Sequence, residues 1–214
     1  PGEKSGHTGC DIESGFAYLN PFFLILAAIF IVVFIIQIQQ GLFSLKDGID
    51  MTNFTYRYSN YRAGWNYDGI MTSIFLHGSV EHLLGNVLMF YVLALISYRI
   101  IGFLDSVIIF LSTGFFAGIT SFYLGSVPAI GASGAIFWLF GFVSVFYIIE
   151  RENLSENLED LSWVMAITGI LQVISGFTVP YIDNFAHLGG FISGCAIGYY
   201  YFQNHKDKIL SKLS

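Results

Sequence analysis

Charge is what this sequence has least of. Only 11% of its 214 residues are Asp, Glu, Lys or Arg, where a soluble domain carries about a quarter. The few charges sum to −6 and are scattered, so no basic stripe is available for nucleic acid. Cysteine is nearly missing too. Cys10 and Cys195 lie far apart, and Cys195 falls inside an apolar run, which argues against a disulfide framework and leaves the redox compartment unreadable. His7 and Cys10 have a metal-ligand-like spacing, yet two ligands do not make a site. A polar tail is the better reading, and neither metal nor cofactor is expected. The chain shows no initiator Met and no signal-peptide pattern, so residues upstream of Pro1 are expected.

Apolar residues fill the space that charge leaves. They make up 55% of the chain, and the mean hydropathy is +0.66, which points to an integral membrane protein. Charge-free stretches of about 20 residues mark candidate spans. The first covers residues 21–39, opened by Asn20 as N-cap and Pro21 at the first helical position. A polar, aromatic loop follows over residues 41–78, and its Tyr residues and Trp65 suit the membrane interface. The second span, residues 80–99, starts with Ser79 as N-cap and Glu81 at the positive end of the helix dipole. The charge-free stretch from Ser106 to Ile149 is too long for one crossing, and Gly125-Ser126-Val127-Pro128 breaks it. That gives spans at 102–124 and 132–149, then a charged turn from Glu150 to Asp160. A fifth span, 161–179, stops at Pro180. A sixth, 184–203, is capped by Asp183-Asn184.

The expected fold is all-α and polytopic. It has a polar tail over residues 1–19, a six-helix membrane domain over 20–204 with a long interfacial first loop, and a basic tail over 205–214. Six spans put both termini on one side. That side would carry Lys4, Arg99, Arg151, Lys206, Lys208 and Lys212, against Lys46, Arg57 and Arg62 on the other. The positive-inside rule then places the termini in the cytoplasm, and a prokaryotic plasma membrane is the expected location.

Polar side chains inside a bilayer are costly and mark function by default. Four stand out: His82, Asn86, Ser133 and His187. They open the second, fourth and sixth spans, which all start on the face opposite the termini, so the topology alone brings them to similar depth. His82 and Asn86 are four apart and share a helix face. Each residue alone has a plainer explanation. Ser133, in Gly-Ala-Ser-Gly, reads as a small packing residue, His82 and Asn86 as inter-helical hydrogen-bonders, and His187 as an interfacial histidine. Together they supply what acyl transfer needs: a nucleophile, a base and oxyanion donors. The glycines add to this. Gly190, Gly194 and Gly198 form a double Gly-xxx-Gly ladder, and Gly134 and Gly141 lie seven apart on the fourth span. Small faces let helices approach closely, which would bring Ser133 to His187.

These residues resemble the rhomboid intramembrane serine proteases. The matching pieces are His82-Leu83-Leu84-Gly85-Asn86, Gly131-Ala132-Ser133-Gly134 and Ala186-His187-Leu188-Gly189-Gly190, in that order, over about residues 21–203. The resemblance implies an intramembrane serine endopeptidase that cuts peptide bonds in or beside transmembrane segments of other membrane proteins. It implies Ser133 as nucleophile, His187 as general base, and His82 and Asn86 as oxyanion donors with the Ser133 backbone N–H. Gly131, Gly134, Gly190, Gly194 and Phe137 would support them, without metal or cofactor. Its partners would be transmembrane substrates and the bilayer, and the fifth span is a candidate gate. Phe137 stands where many members have a tyrosine stacked on the base. Tyr61-Arg62 and Trp65 do not align with the Trp-Arg pair common in the first loop. His77 falls where members have a further histidine of structural or water-organising role, and a histidine usual further upstream is replaced near Ser73. Two rivals remain. One is a rhomboid-like protein that binds transmembrane clients without cutting them. The other is a transporter, against which stand the single depth of the polar groups and the lack of internal symmetry.

Overall fold

The computed structural model describes residues 20–39, 43–44, 48–49, 59–60, 67–125, 128–153, 156–178 and 182–213. His7, Cys10, Tyr61, Arg62, Trp65 and Pro180 lie outside these residues. The elements are α1 (Pro21–Gln39), a two-residue antiparallel pair β1 (Phe43–Ser44) and β2 (Gly48–Ile49), a short helix α2 (Gly69–Thr72), and five long helices. These are α3 (Val80–Ile101), α4 (Phe103–Leu124), α5 (Ser133–Glu150), α6 (Glu156–Gly176) and α7 (Asn184–Leu213).

Local chemistry sets the helix ends. Asn20 Oδ1 accepts the backbone N–H of Phe22 at 2.9 Å, capping α1, while its Nδ2 donates to Ala94 O at 2.8 Å and so fixes that end against α3. The far end of α1 is clamped as well. Gln37 Nε2 donates to His77 O at 3.3 Å, and its Oε1 accepts His77 N–H at 3.1 Å. Ser79 Oγ accepts His82 N–H at 3.0 Å and caps α3. A single residue, Gly102 at φ 87°, turns α3 into α4, a conformation open to glycine and strained for side chains with a Cβ.

Three element bounds differ from the sequence expectation. α6 starts at Glu156, inside the stretch read as a charged turn, because charged residues carry no helix-breaking chemistry. It ends at Gly176, short of Val179. α7 runs beyond Gln203 through the residues expected as a tail, with non-helical dihedrals at His205 (φ −131°, ψ 21°) marking the break. The first loop, read from the sequence as partly ordered, has order in its described residues. α2 and a 3₁₀ turn, Ser73–Phe75, pack against α4, where Gly118 leaves room for the carbonyl of Ile70.

α5 is the central helix, touching α3, α4, α6 and α7. Trp138, Leu139, Phe140, Phe142, Val143 and Phe146 on it are all buried. The outer helices do the reverse and present large apolar side chains outward: Ile25 and Val32 on α1, Leu104 and Ile108 on α4, Leu171 and Ile174 on α6, Tyr200 on α7. An apolar belt of that extent is what lipid requires and water penalises. α1, α4 and α5 have the length and apolarity of a full crossing, and α2 with the first part of α3, bent by 89°, forms a fourth candidate.

The α5–α7 interface is a backbone contact. A Cβ on Gly190 would fall on Gly134 O, one on Gly194 on Trp138 O, and one on Gly141 on Phe191 O. Glycines at i and i+4 on α7 thus face positions i and i+4 on α5, and the two helices meet at the smallest separation their backbones allow. The ladder is graded, since a Cβ on Gly198 would lie 3.3 Å from Phe142 Cα. Gly194→Ala is expected to destabilise the fold by roughly 1–3 kcal/mol through overpacking, and Gly198→Ala by much less. Thermal unfolding in detergent checks the order, and equal midpoints for the two variants would contradict it.

Candidate active site

Ser133 is the first residue of α5, preceded by a turn that other parts of the chain hold in place. Ala129 forms a two-way backbone bridge with Asn60 (2.9 and 3.0 Å), and Gly131 N–H donates to Ser73 O at 2.8 Å. Asn60 in turn donates from Nδ2 to Gly118 O on α4 at 2.6 Å. The turn needs glycine at Gly131, where φ is 118°. As the first residue of a helix, Ser133 has a backbone N–H with no intrahelical acceptor.

His187 sits in the first turn of α7, across the glycine contact from Ser133. Its Nε2 lies 2.8 Å from Ser133 Oγ. Phe137, one turn along α5 from Ser133, stacks on the imidazole with ring centroids 4.1 Å apart and planes 10° from parallel. Stacking fixes the ring plane without a hydroxyl. His187 Nδ1 is buried and has no hydrogen-bond partner among the described residues. Asp183 does not serve that nitrogen. Its Oδ1 accepts Ala186 N–H at 3.0 Å as the cap of α7, and its Oδ2 accepts the hydroxyl of Ser121 on α4. Burial pushes the Asp183 carboxyl above the usual carboxylate range, against the hydrogen bonds that pull it down.

His82 and Asn86 lie over Gly131. A Cβ there would meet His82 Nε2 at 2.7 Å and Asn86 Nδ2 at 3.6 Å. His82 Nδ1 accepts Gly78 N–H at 3.3 Å. In the neutral ring the proton is then on Nε2, which points at the turn before Ser133. Asn86 Nδ2 is buried with no hydrogen-bond partner among the described residues. Two side-chain N–H groups thus lie over Gly131, two residues before Ser133 and its backbone N–H, and donors of this kind are able to stabilise an oxygen carrying negative charge. All of this faces a cavity of about 780 Å³. His82, Gly85 and Asn86 of α3, Ser133, Phe137 and Phe140 of α5, Gln172 of α6 and His187 of α7 line it.

The structure therefore brings together the four polar residues singled out in the sequence, with Phe137 and the glycines around them. The same rule about polar groups in apolar helices could also have flagged Gln37, whose side chain holds the segment that delivers His82. The roles of Asn60 and Ser73 leave no such signal, because Asn60 acts through backbone pairing with Ala129 and its amide on Gly118, and Ser73 through its carbonyl, each with a partner distant in sequence.

Apolar helices facing outward define an integral membrane protein, and a serine and a histidine are in hydrogen-bond contact within it. A family model described as the Rhomboid domain matches residues 64–204, and the chain belongs to that family. RHOMBOID-like protein 4 of Arabidopsis thaliana is 34% identical over 139 residues, 64% of this chain and 34% of that protein. Rhomboid protease GluP of Bacillus subtilis is 27% identical over 172 residues, 80% of this chain and 33% of that protein. Rhomboid-type serine protease 2 of Emericella nidulans is 31% identical over 130 residues, 58% of this chain and 25% of that protein. The chain thus matches a quarter to a third of these relatives' lengths.

Two outcomes follow from the geometry. Gly131→Ala combines a positive φ with a Cβ pressed on His82, and a loss of roughly 1–3 kcal/mol in stability is expected. A wild-type melting midpoint for that variant would contradict the geometry. Asp183, with its folded pKa raised, contributes stability at low pH that is lost as pH climbs from the ordinary carboxylate pKa through the raised value. Asp183→Asn should remove that fall, read as the pH dependence of the difference between the two melting midpoints.

Proposed function

We propose that the chain is an intramembrane serine endopeptidase that cleaves peptide bonds in or next to transmembrane segments of other membrane proteins. The observation that carries the reading is the 2.8 Å contact of Ser133 Oγ with His187 Nε2, facing the cavity. Ser133 attacks the scissile carbonyl while His187 Nε2 takes the hydroxyl proton. His82 Nε2–H, Asn86 Nδ2–H and the Ser133 backbone N–H receive the oxyanion. His187 then returns the proton to the leaving amine, and water resolves the acyl-enzyme by the reverse sequence. A substrate helix must unwind to expose its carbonyl, since helical hydrogen bonds occupy it. Six crossings with both termini in the cytoplasm complete the proposal, on the Lys and Arg distribution. The relatives come from a plant, a bacterium and a fungus and do not single out a prokaryotic membrane.

A second reading, binding of transmembrane clients without cleavage, is favoured by one feature. Among the described residues no acceptor holds His187 Nδ1–H, and stacking on Phe137 and the serine bond orient the base. Labelling with a fluorescent fluorophosphonate separates the readings. Wild type should label, and Ser133→Ala and His187→Ala should not. Asn86→Ala, which removes one oxyanion donor, should lower the cleavage rate roughly 10²–10³-fold. Labelling that persists in Ser133→Ala, or a well-folded wild type that neither labels nor cleaves, overturns the protease reading.

A further inference from the structure

The cavity wall on α3 carries a feature that the hydrolytic chemistry does not use. Glu81 and Gly85 are four residues apart on α3, on one face, and both line the cavity that holds Ser133 and His187. Glu81 is exposed. Gly85 leaves an open lane, because a Cβ built on it would meet nothing within 4 Å. Among the described residues lining the cavity there is no Lys or Arg, and the acidic ones are Glu81 and Asp183. Asp183 is engaged by Ser121 and by the start of α7. Glu81 makes contacts to Ser79 and to its own backbone N–H, and a carboxylate has about four acceptor positions, so it keeps capacity for a further donor.

We propose that Glu81 and Gly85 form a subsite for a basic side chain, Lys or Arg, flanking the scissile bond of the substrate. This rests on the protease reading and names the substrate class that the same cavity selects. The aliphatic stem would lie along the lane at Gly85, with Met89 one turn further on, and the charged head would meet Glu81 at the end nearest solvent, as long basic side chains do at apolar surfaces. Glu81 directly precedes His82, so a residue seated here is within a position or two of the carbonyl that His82 stabilises. An acidic substrate side chain would instead meet a carboxylate across a lane with no cation to neutralise it.

The experiment uses the full chain in detergent or liposomes and three versions of one transmembrane test substrate, with Lys, Gln or Glu at a residue flanking the cut, tried on each side in turn. The readout is the ratio of cleavage rates within one enzyme preparation, so the folded fraction cancels. Wild type should cut the Lys substrate faster than the Glu substrate by roughly two- to five-fold, the range of a partly exposed ion pair, and the ratio should shrink as salt rises. Glu81→Gln should bring the ratio to one, and Glu81→Lys should invert it. A Lys-to-Glu ratio of one in wild type on both sides of the cut, or an unchanged ratio in Glu81→Gln, overturns the subsite and leaves the protease reading standing. A wild type that cuts none of the three, the neutral Gln substrate included, fails the protease reading and removes this inference with it.

Discussion

The site depends on how closely α5 and α7 approach. Ser133 and His187 are 54 residues apart and belong to the first turns of different helices. Their hydrogen bond depends on how near the two backbones come at that end. Gly190 against Gly134 and Gly194 against Trp138 supply that approach. In lipid the apolar effect gives helices little reason to associate, so close packing of small residues has to do more of the work than in water. One contact thereby serves both stability and the distance between Ser133 and His187.

The remaining parts of the site are held by polar ties that would be costly left unmade in an apolar interior. Gln37 of α1 grips His77 on both sides of its peptide, which fixes the segment whose next residue, Gly78, donates to His82 Nδ1. That bond selects the His82 tautomer with its proton on Nε2. On the opposite side Asn60 and Ser73, both from the first loop, hold the turn that carries Gly131 and Ser133. The described part of the first loop thus reaches the site through backbone pairing, the Asn60 amide and the placement of donors.

Much of this was legible in the sequence, for identifiable reasons. Charge-free runs bounded by Asn20-Pro21, Ser79 and Asp183 located helix starts because capping chemistry is local. The four polar residues stood out because their neighbours are apolar, and the Gly-xxx-Gly ladder predicted the interface that joins two of them. The helix ends read less well. The charges before Leu161 suggest a turn, yet helices tolerate charge in their first turns and α6 begins at Glu156, while α7 continues past Gln203 to Leu213 with non-helical dihedrals at His205. The role of Asp183 as cap and as partner of Ser121, the tautomer of His82 and the anchoring by Asn60 all depend on which distant groups meet, and no local pattern encodes that.

The most direct test of the account is a structure of the protein after reaction with a fluorophosphonate. A covalent phosphonyl group mimics the tetrahedral intermediate at the serine. The expected adduct has phosphorus bonded to Ser133 Oγ, its phosphoryl oxygen within hydrogen-bond reach of His82 Nε2 and Asn86 Nδ2, and the α5–α7 contact unchanged. An adduct on another residue, or a phosphoryl oxygen directed away from both donors, would contradict it.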